Sequence, residues 1–130
     1  MDDLGVQRIE AGMPVVSSED KDAIKEITHL GLSAEIWGFC RCIKTDVDAC
    51  LDADVGAVIC EIATSSLKFK AYGLNEERAL AQAVQTLNYA KDHGLRTAFF
   101  PVDMTRTDLS FLKKSLQPQL KKGMQMSWWP

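Results

Sequence analysis

Four short apolar runs, each followed by apolar residues at helical spacing, constrain this chain more than any other feature. Residues 7–12, 33–41, 58–63 and 96–103 read as strands. After the first, Ser17-Ser18-Glu19-Asp20 is an N-cap with acids in the first turn, then Ala23, Ile24, Ile27 and Leu30 recur until Gly31 stops the run. After the second, Thr45-Asp46 is expected to cap a short helix carrying Val47, Cys50 and Leu51. After the third, Ala63-Thr64-Ser65-Ser66 reads as a hydroxyl-rich loop, and Asn75-Glu76-Glu77 starts the longest helix, with Leu80, Ala83, Val84, Leu87 and Ala90 inward. That helix ends at His93-Gly94. After the fourth, Asp108 caps a helix with Leu109, Phe111 and Leu112. Strands alternating with helices imply an α/β domain with parallel pairing and right-handed crossovers.

A length of 130 residues suits about one domain with a sizeable core. The net charge is -3 with Lys and Arg scattered, which argues against nucleic acid or an anionic membrane as partner. No apolar run approaches the ~18 residues of a membrane span, and Met1-Asp2-Asp3 does not open a signal peptide, so a cytoplasmic location is expected. Cys40, Cys42, Cys50 and Cys60 match neither a zinc pattern nor a secreted disulfide framework, and read as reduced, buried thiols. His29 and His93 each fall near an expected helix end, apart from one another.

Parallel sheets bind ligands at the carboxyl ends of their strands. The loops there are Gly12-Met13-Pro14, Cys40-Arg41-Cys42, Ala63-Thr64-Ser65-Ser66 and Asp103-Met104-Thr105-Arg106. Neither G-x-G-x-x-G nor G-x-x-x-x-G-K-[ST] occurs, which removes the common nucleotide cradles. Glu61 is the exception in an otherwise apolar strand. Side chains alternate along a strand, so Arg41 shares a face with Phe39 and Trp37, and Glu61 shares one with Ile59 and Ala63. Glu10, Arg41 and Glu61 are then expected to meet at the mouth of adjacent strands. Such a cluster suits a substrate carboxylate or a metal-bound enolate, and serves equally as a structural ion network.

Several motifs together resemble one enzyme family. Arg8-Ile9-Glu10-Ala11-Gly12-Met13-Pro14 resembles the second strand and loop of the 2-isopropylmalate and homocitrate synthases, and Ile36-Trp37-Gly38-Phe39-Cys40-Arg41 is similar to their third. Ile62-Ala63-Thr64-Ser65 and Pro101-Val102-Asp103-Met104-Thr105-Arg106-Thr107-Asp108 are similar to the fourth and fifth. The resemblance covers residues 2–114. It implies a (β/α)8 TIM barrel, a divalent metal, and condensation of acetyl-CoA with a 2-oxo acid, or the reverse cleavage of the hydroxymethylglutaryl-CoA lyases. It places Glu10 and Arg41 in the substrate pocket and Thr64 and Ser65 at its rim. Asp103 and Thr105 join this substrate-binding set, and Glu61 is the expected catalytic group.

The departures are as informative. Ile59 stands where family synthases often carry histidine, and Val102 where they often carry glutamate. The family's arginine–aspartate strand is missing ahead of Gly5, and no His-x-His occurs, so this chain is expected to hold no metal site of its own. A barrel needs eight strands and ~250 residues; this chain reads as a fragment spanning strands two to five. Asp2-Asp3-Leu4-Gly5-Val6 reads as a helix end with its glycine cap. Residues 115–130 read as a divergent tail outside helix or strand pattern. Read in a shifted frame, the tail permits His-Ala-Asp-Val-Leu-Val-Ala, which resembles the family's sixth strand, so a frameshift between Lys114 and Lys121 is expected. The fragment is expected to be inactive alone and to need a complementing chain or to self-associate. The competing reading is a non-catalytic half-barrel that binds a partner.

Overall fold

The computed structural model describes residues 1–121 and 125–126. Its elements are β1 (Arg8–Gly12), α1 (Ser18–Thr28), β2 (Glu35–Arg41), α2 (Lys44–Asp52), β3 (Ala57–Ala63), α3 (Ser66–Tyr72), α4 (Glu76–Asp92), β4 (Arg96–Val102), α5 (Leu109–Lys121) and β5 (Gln125–Met126). Short 3₁₀ turns occupy Asp2–Leu4 and Met104–Arg106. The strands lie in the order β1-β2-β3-β4-β5, each pair parallel. The alternation read from the sequence is therefore that of a partial (β/α)8 barrel.

Local chemistry explains most boundaries. Ser17 Oγ accepts the Asp20 amide at 3.0 Å to start α1, and Asn75 Oδ1 accepts that of Arg78 at 2.9 Å to start α4. Asp108 Oδ1 accepts the amides of Ser110 and Phe111 at the head of α5. Gly5, at φ 75°, closes the first 3₁₀ turn as the glycine cap expected there. His29 and His93 are the C-caps of α1 and α4.

Three expectations need correction. α2 is entered through Ile43, with no side-chain cap, because Asp46 is turned back toward β2. α3 stands where a loop was expected: Ser65 Oγ accepts the Lys68 amide at its start, and Gly73 at φ 64° ends it. α5 continues to Lys121, past Lys114, because Ser115 and Leu116 carry on its buried side. β5 then pairs with Ala98 and Phe99 of β4. Residues 122–124 and 127–130, and with them most of the shifted-frame reading, lie outside the described residues.

Register gives the sheet two distinct faces. Ile36, Cys40, Val58, Cys60, Ile62 and Phe99 point into a core with Ile24 of α1, Val47 and Cys50 of α2, Ala83 and Leu87 of α4, and Phe111 of α5. Fully burying a side chain such as Leu87 or Phe99 stabilises the fold by about 1.5–3 kcal/mol. The four cysteines are free and buried, with Cys40 Sγ 3.4 Å from Cys60 Sγ. Gly38 sits where α2 presses closest on the sheet: a Cβ there would lie 2.9 Å from Cys50 Sγ.

The opposite face carries Trp37, Ala57, Ile59 and Ala98 as a second apolar cluster. Trp37 is buried between Arg8 and Arg96, whose guanidinium carbons lie 5.6 and 5.9 Å from its ring centre. Glu35 ties this stack together, accepting from Trp37 Nε1 at 2.8 Å and Arg96 Nη1 at 2.9 Å. Above it, Phe39 and Phe100 meet edge to face with centroids 6.1 Å apart.

Candidate functional site

Arg41 closes β2 and Glu61 lies near the end of β3, and the two are register partners. Partners in adjacent parallel strands share a face, so both side chains emerge on the face of Trp37 and Ile59, as alternation required. A cavity of about 420 Å³ opens beside them, lined also by Ala63, Tyr72, Gln82 and Val102. Gln82 Nε2, from α4, donates to the Cys42 carbonyl at 2.8 Å and holds the end of β2 in place.

The carboxylate that engages Arg41 is Asp46. Its Oδ2 accepts Arg41 Nε at 2.7 Å and the Arg41 amide at 3.1 Å, and its Oδ1 accepts Nη2 at 2.9 Å. The Asp46 side chain is fully buried while that of Arg41 is half exposed. These hydrogen bonds hold the guanidinium's pKa above its ordinary value, followed by Asp46's charge. Burial raises the pKa of Glu61 from its ordinary value; the charges of Arg41 and Lys68 oppose that rise and Asp46 adds to it.

Glu10 does not join this pair. It is exposed on β1 and pairs in register with Trp37, four residues before Arg41. At ~3.3 Å per residue that is about 13 Å along the sheet.

Thr64, Ser65 and Asp103 do come together, in a latch between the ends of β3 and β4. Ser65 Oγ donates to Asp103 Oδ2 at 2.5 Å, and Arg106 Nε donates to Asp103 Oδ1 at 2.6 Å. Those hydrogen bonds, Arg106's first, lower the Asp103 pKa. Thr64 Oγ1 lies 2.7 Å from Thr107 Oγ1 and 3.1 Å from the Val102 carbonyl. Thr64 and Ser65 are buried, so their hydroxyls face the latch rather than open space. Thr105 is exposed and borders a separate cavity of about 370 Å³ with Thr64, Glu76 and Arg106.

Asp46, Gln82 and Tyr72 were missed by sequence reasoning. Asp46 carried a signal of sorts: an arginine at a strand end is followed five residues later by an acid in the first turn of a helix, and only the tight β2–α2 turn decides that the two meet. Gln82 carried none, because its partner is a backbone carbonyl from a distant element.

Residues 1–130 match the protein family described as HMGL-like. The chain belongs to the HMGL-like family. Among its relatives, the homocitrate synthase AksA of Methanopyrus kandleri is 49% identical over 115 residues, covering 88% of this chain and 29% of that protein. That of Methanothermobacter thermautotrophicus is 48% identical over the same share of each. The 2-isopropylmalate synthase of Methanocaldococcus jannaschii is 44% identical over 114 residues, 86% of this chain and 22% of that protein. This HMGL-like chain thus spans under a third of the length of these relatives, and the resemblance carried by its strand motifs is that of a synthase fragment.

The HMGL-like family works with a divalent metal. Among the described residues, no group of three or more His, Cys, Asp or Glu side chains is placed to hold one. The histidines cap helices at the amino-terminal end of the sheet, Glu61 faces Arg41, and Asp46 and Asp103 are engaged by arginines. These residues do not fit a metal site. No described helix is long and apolar enough to cross a membrane.

Proposed function

We propose that this chain supplies one wall of the site in which an acyl-CoA-dependent synthase condenses acetyl-CoA with a 2-oxo acid. The observation that carries the reading is the Arg41–Glu61 register pair at the carboxyl end of a parallel sheet, beside an open cavity. Similarity to homocitrate and 2-isopropylmalate synthases supports the reaction class. Arg41 binds the oxo-acid carboxylate, and Glu61, whose raised pKa suits a general base, takes the proton from the acetyl methyl group. The latch of Thr64, Ser65 and Asp103 shapes the rim beside Thr105, and Glu10 lies further along the same face, exposed on β1. The divalent metal is held by residues outside this set. The condensation is a cytoplasmic, soluble reaction with no nucleic-acid partner.

The isolated chain is expected to show neither divalent-metal binding nor acetyl-CoA-dependent thiol release with any 2-oxo acid. Adding the complementary strands of a related synthase as a second chain is expected to restore release. Glu61→Gln in that reconstituted protein lowers turnover about 10²–10⁴-fold, the range for a general base. Turnover by the isolated chain defeats the fragment reading, and unchanged turnover in the variant returns Glu61 to a structural role. The cleavage direction of the lyases uses the same groups, and product analysis separates the two.

The second reading, a non-catalytic half-barrel bound to a partner chain, draws on the sheet face of Trp37, where Phe100 is exposed and Phe39 and Ile59 are only partly buried. A reconstituted complex that forms but shows no turnover favours it.

A further inference from the structure

The geometry points to Asp46 as the positioning residue that turns Arg41 into a carboxylate receptor. This rests on the proposed carboxylate role of Arg41 and deepens it. A guanidinium has five N–H donors arranged in two forks. Asp46 occupies the side-on fork, Nε and Nη2, and also takes the Arg41 amide, so backbone and side chain are fixed by one buried group. The end-on fork, formed by Nη1 and the outer hydrogen of Nη2, takes no part in this pair, and the Arg41 side chain as a whole is half exposed and lines the cavity. Planar bidentate recognition of a carboxylate needs a fork held in one orientation. A long arginine on a strand end would otherwise sample many rotamers, and ordering it on binding would cost affinity.

The arrangement also explains why a buried acid is kept here. Asp46 sits at the third position of α2, where an exposed acid would suffice to complement the helix end. Instead its side chain is fully buried and spends both oxygens on one arginine. Glu61, in register with Arg41, contributes charge to the guanidinium but makes no such fork contact among the described interactions. Asp46 therefore sets the orientation and Glu61 remains available at the opening.

The test uses the full chain with arginine side chains labelled for NMR and 2-oxoisovalerate as the probe. In the wild type the probe is expected to shift the Arg41 Nη signals while the Arg41 Nε–H stays slow to exchange at saturation, because the probe takes one fork and Asp46 keeps the other. Asp46→Asn, checked for retained helix signal and cooperative unfolding, is expected to speed Nε–H exchange and raise the probe's Kd at least tenfold. Asp46→Glu, which keeps the charge but moves it by one methylene, is expected to fall between the two. A folded Asp46→Asn chain with an unchanged Kd overturns the positioning role while leaving Arg41 as receptor. Should Asp46→Asn not fold, the wild type alone decides, since Nε–H exchange that accelerates on saturation shows the probe displacing Asp46 and overturns the inference. A wild-type chain in which the probe leaves Arg41 untouched instead defeats the carboxylate role of Arg41, and the inference falls with it.

Discussion

Glu61 and Asp103 stand at the same end of the sheet, and their pKa values shift in opposite directions. Burial raises Glu61, so its contribution to stability is complete below the ordinary value of 4.5 and is lost as pH rises through its folded value. The Arg106 and Ser65 bonds lower Asp103, so its contribution is complete above the ordinary 3.8 and is lost as pH falls through its folded value. Urea midpoints measured across pH should therefore decline above 4.5 in the wild type but not in Glu61→Gln. The acid limb below 3.8 should flatten in Asp103→Asn, a change that keeps a residue tolerant of φ 65°. An undiminished decline in Glu61→Gln would sink the assignment. Ser65 is open to a simpler measurement. Ser65→Ala removes both the α3 cap and the bond to Asp103, and should cost about 1–2 kcal/mol by urea denaturation. A loss under a few tenths would mean that the latch contributes nothing.

The elements show where the amino-acid pattern speaks and where it is silent. Strands β1 to β4 were legible as apolar runs, and α1 and α4 because each combines a period with a cap: Ser17 and Asn75 announce helices whose apolar faces then repeat. α3 was illegible because it has no apolar face to repeat. Leu67 and Tyr72 are exposed, Phe69 is only partly buried, and the helix is defined by Ser65 and Gly73 at its ends. That Arg41 shares a face with Trp37, and Glu61 one with Ile59, followed from alternation alone. Their partners did not, since Asp46 reads as a helix cap until the turn after β2 folds it back. The tight seam between β2 and α2 is equally invisible in sequence. Gly38→Ala pushes a Cβ to 2.9 Å from Cys50 Sγ and should destabilise by about 1–3 kcal/mol. Adding Cys50→Ala should recover part of that loss, whereas purely additive effects in denaturation would show that the two positions do not press on one another.

At the scale of the whole molecule, one face is packed by helices; on the other, among the described residues, Trp37 and Ala98 are buried, Phe39 and Ile59 are partly buried and Phe100 is exposed. A dye that reports exposed apolar surface should bind the isolated chain and be displaced when complementary strands are added; binding that persists in the complex would mean the second chain docks elsewhere. The strand order carries a different consequence. Each strand lies beside the one before it in sequence, and each is joined to it by its own crossover. No strand is threaded between two that come later. Pairing along the sheet is thus a chain of nearest-neighbour links, like a row of stacked repeats, in which each link has its own stability. Removing an outer βα unit exposes one new edge but severs no inner pair. A sheet built this way can be divided between polypeptides at any crossover, with the link between the two pieces left to form by association rather than by the continuity of the backbone.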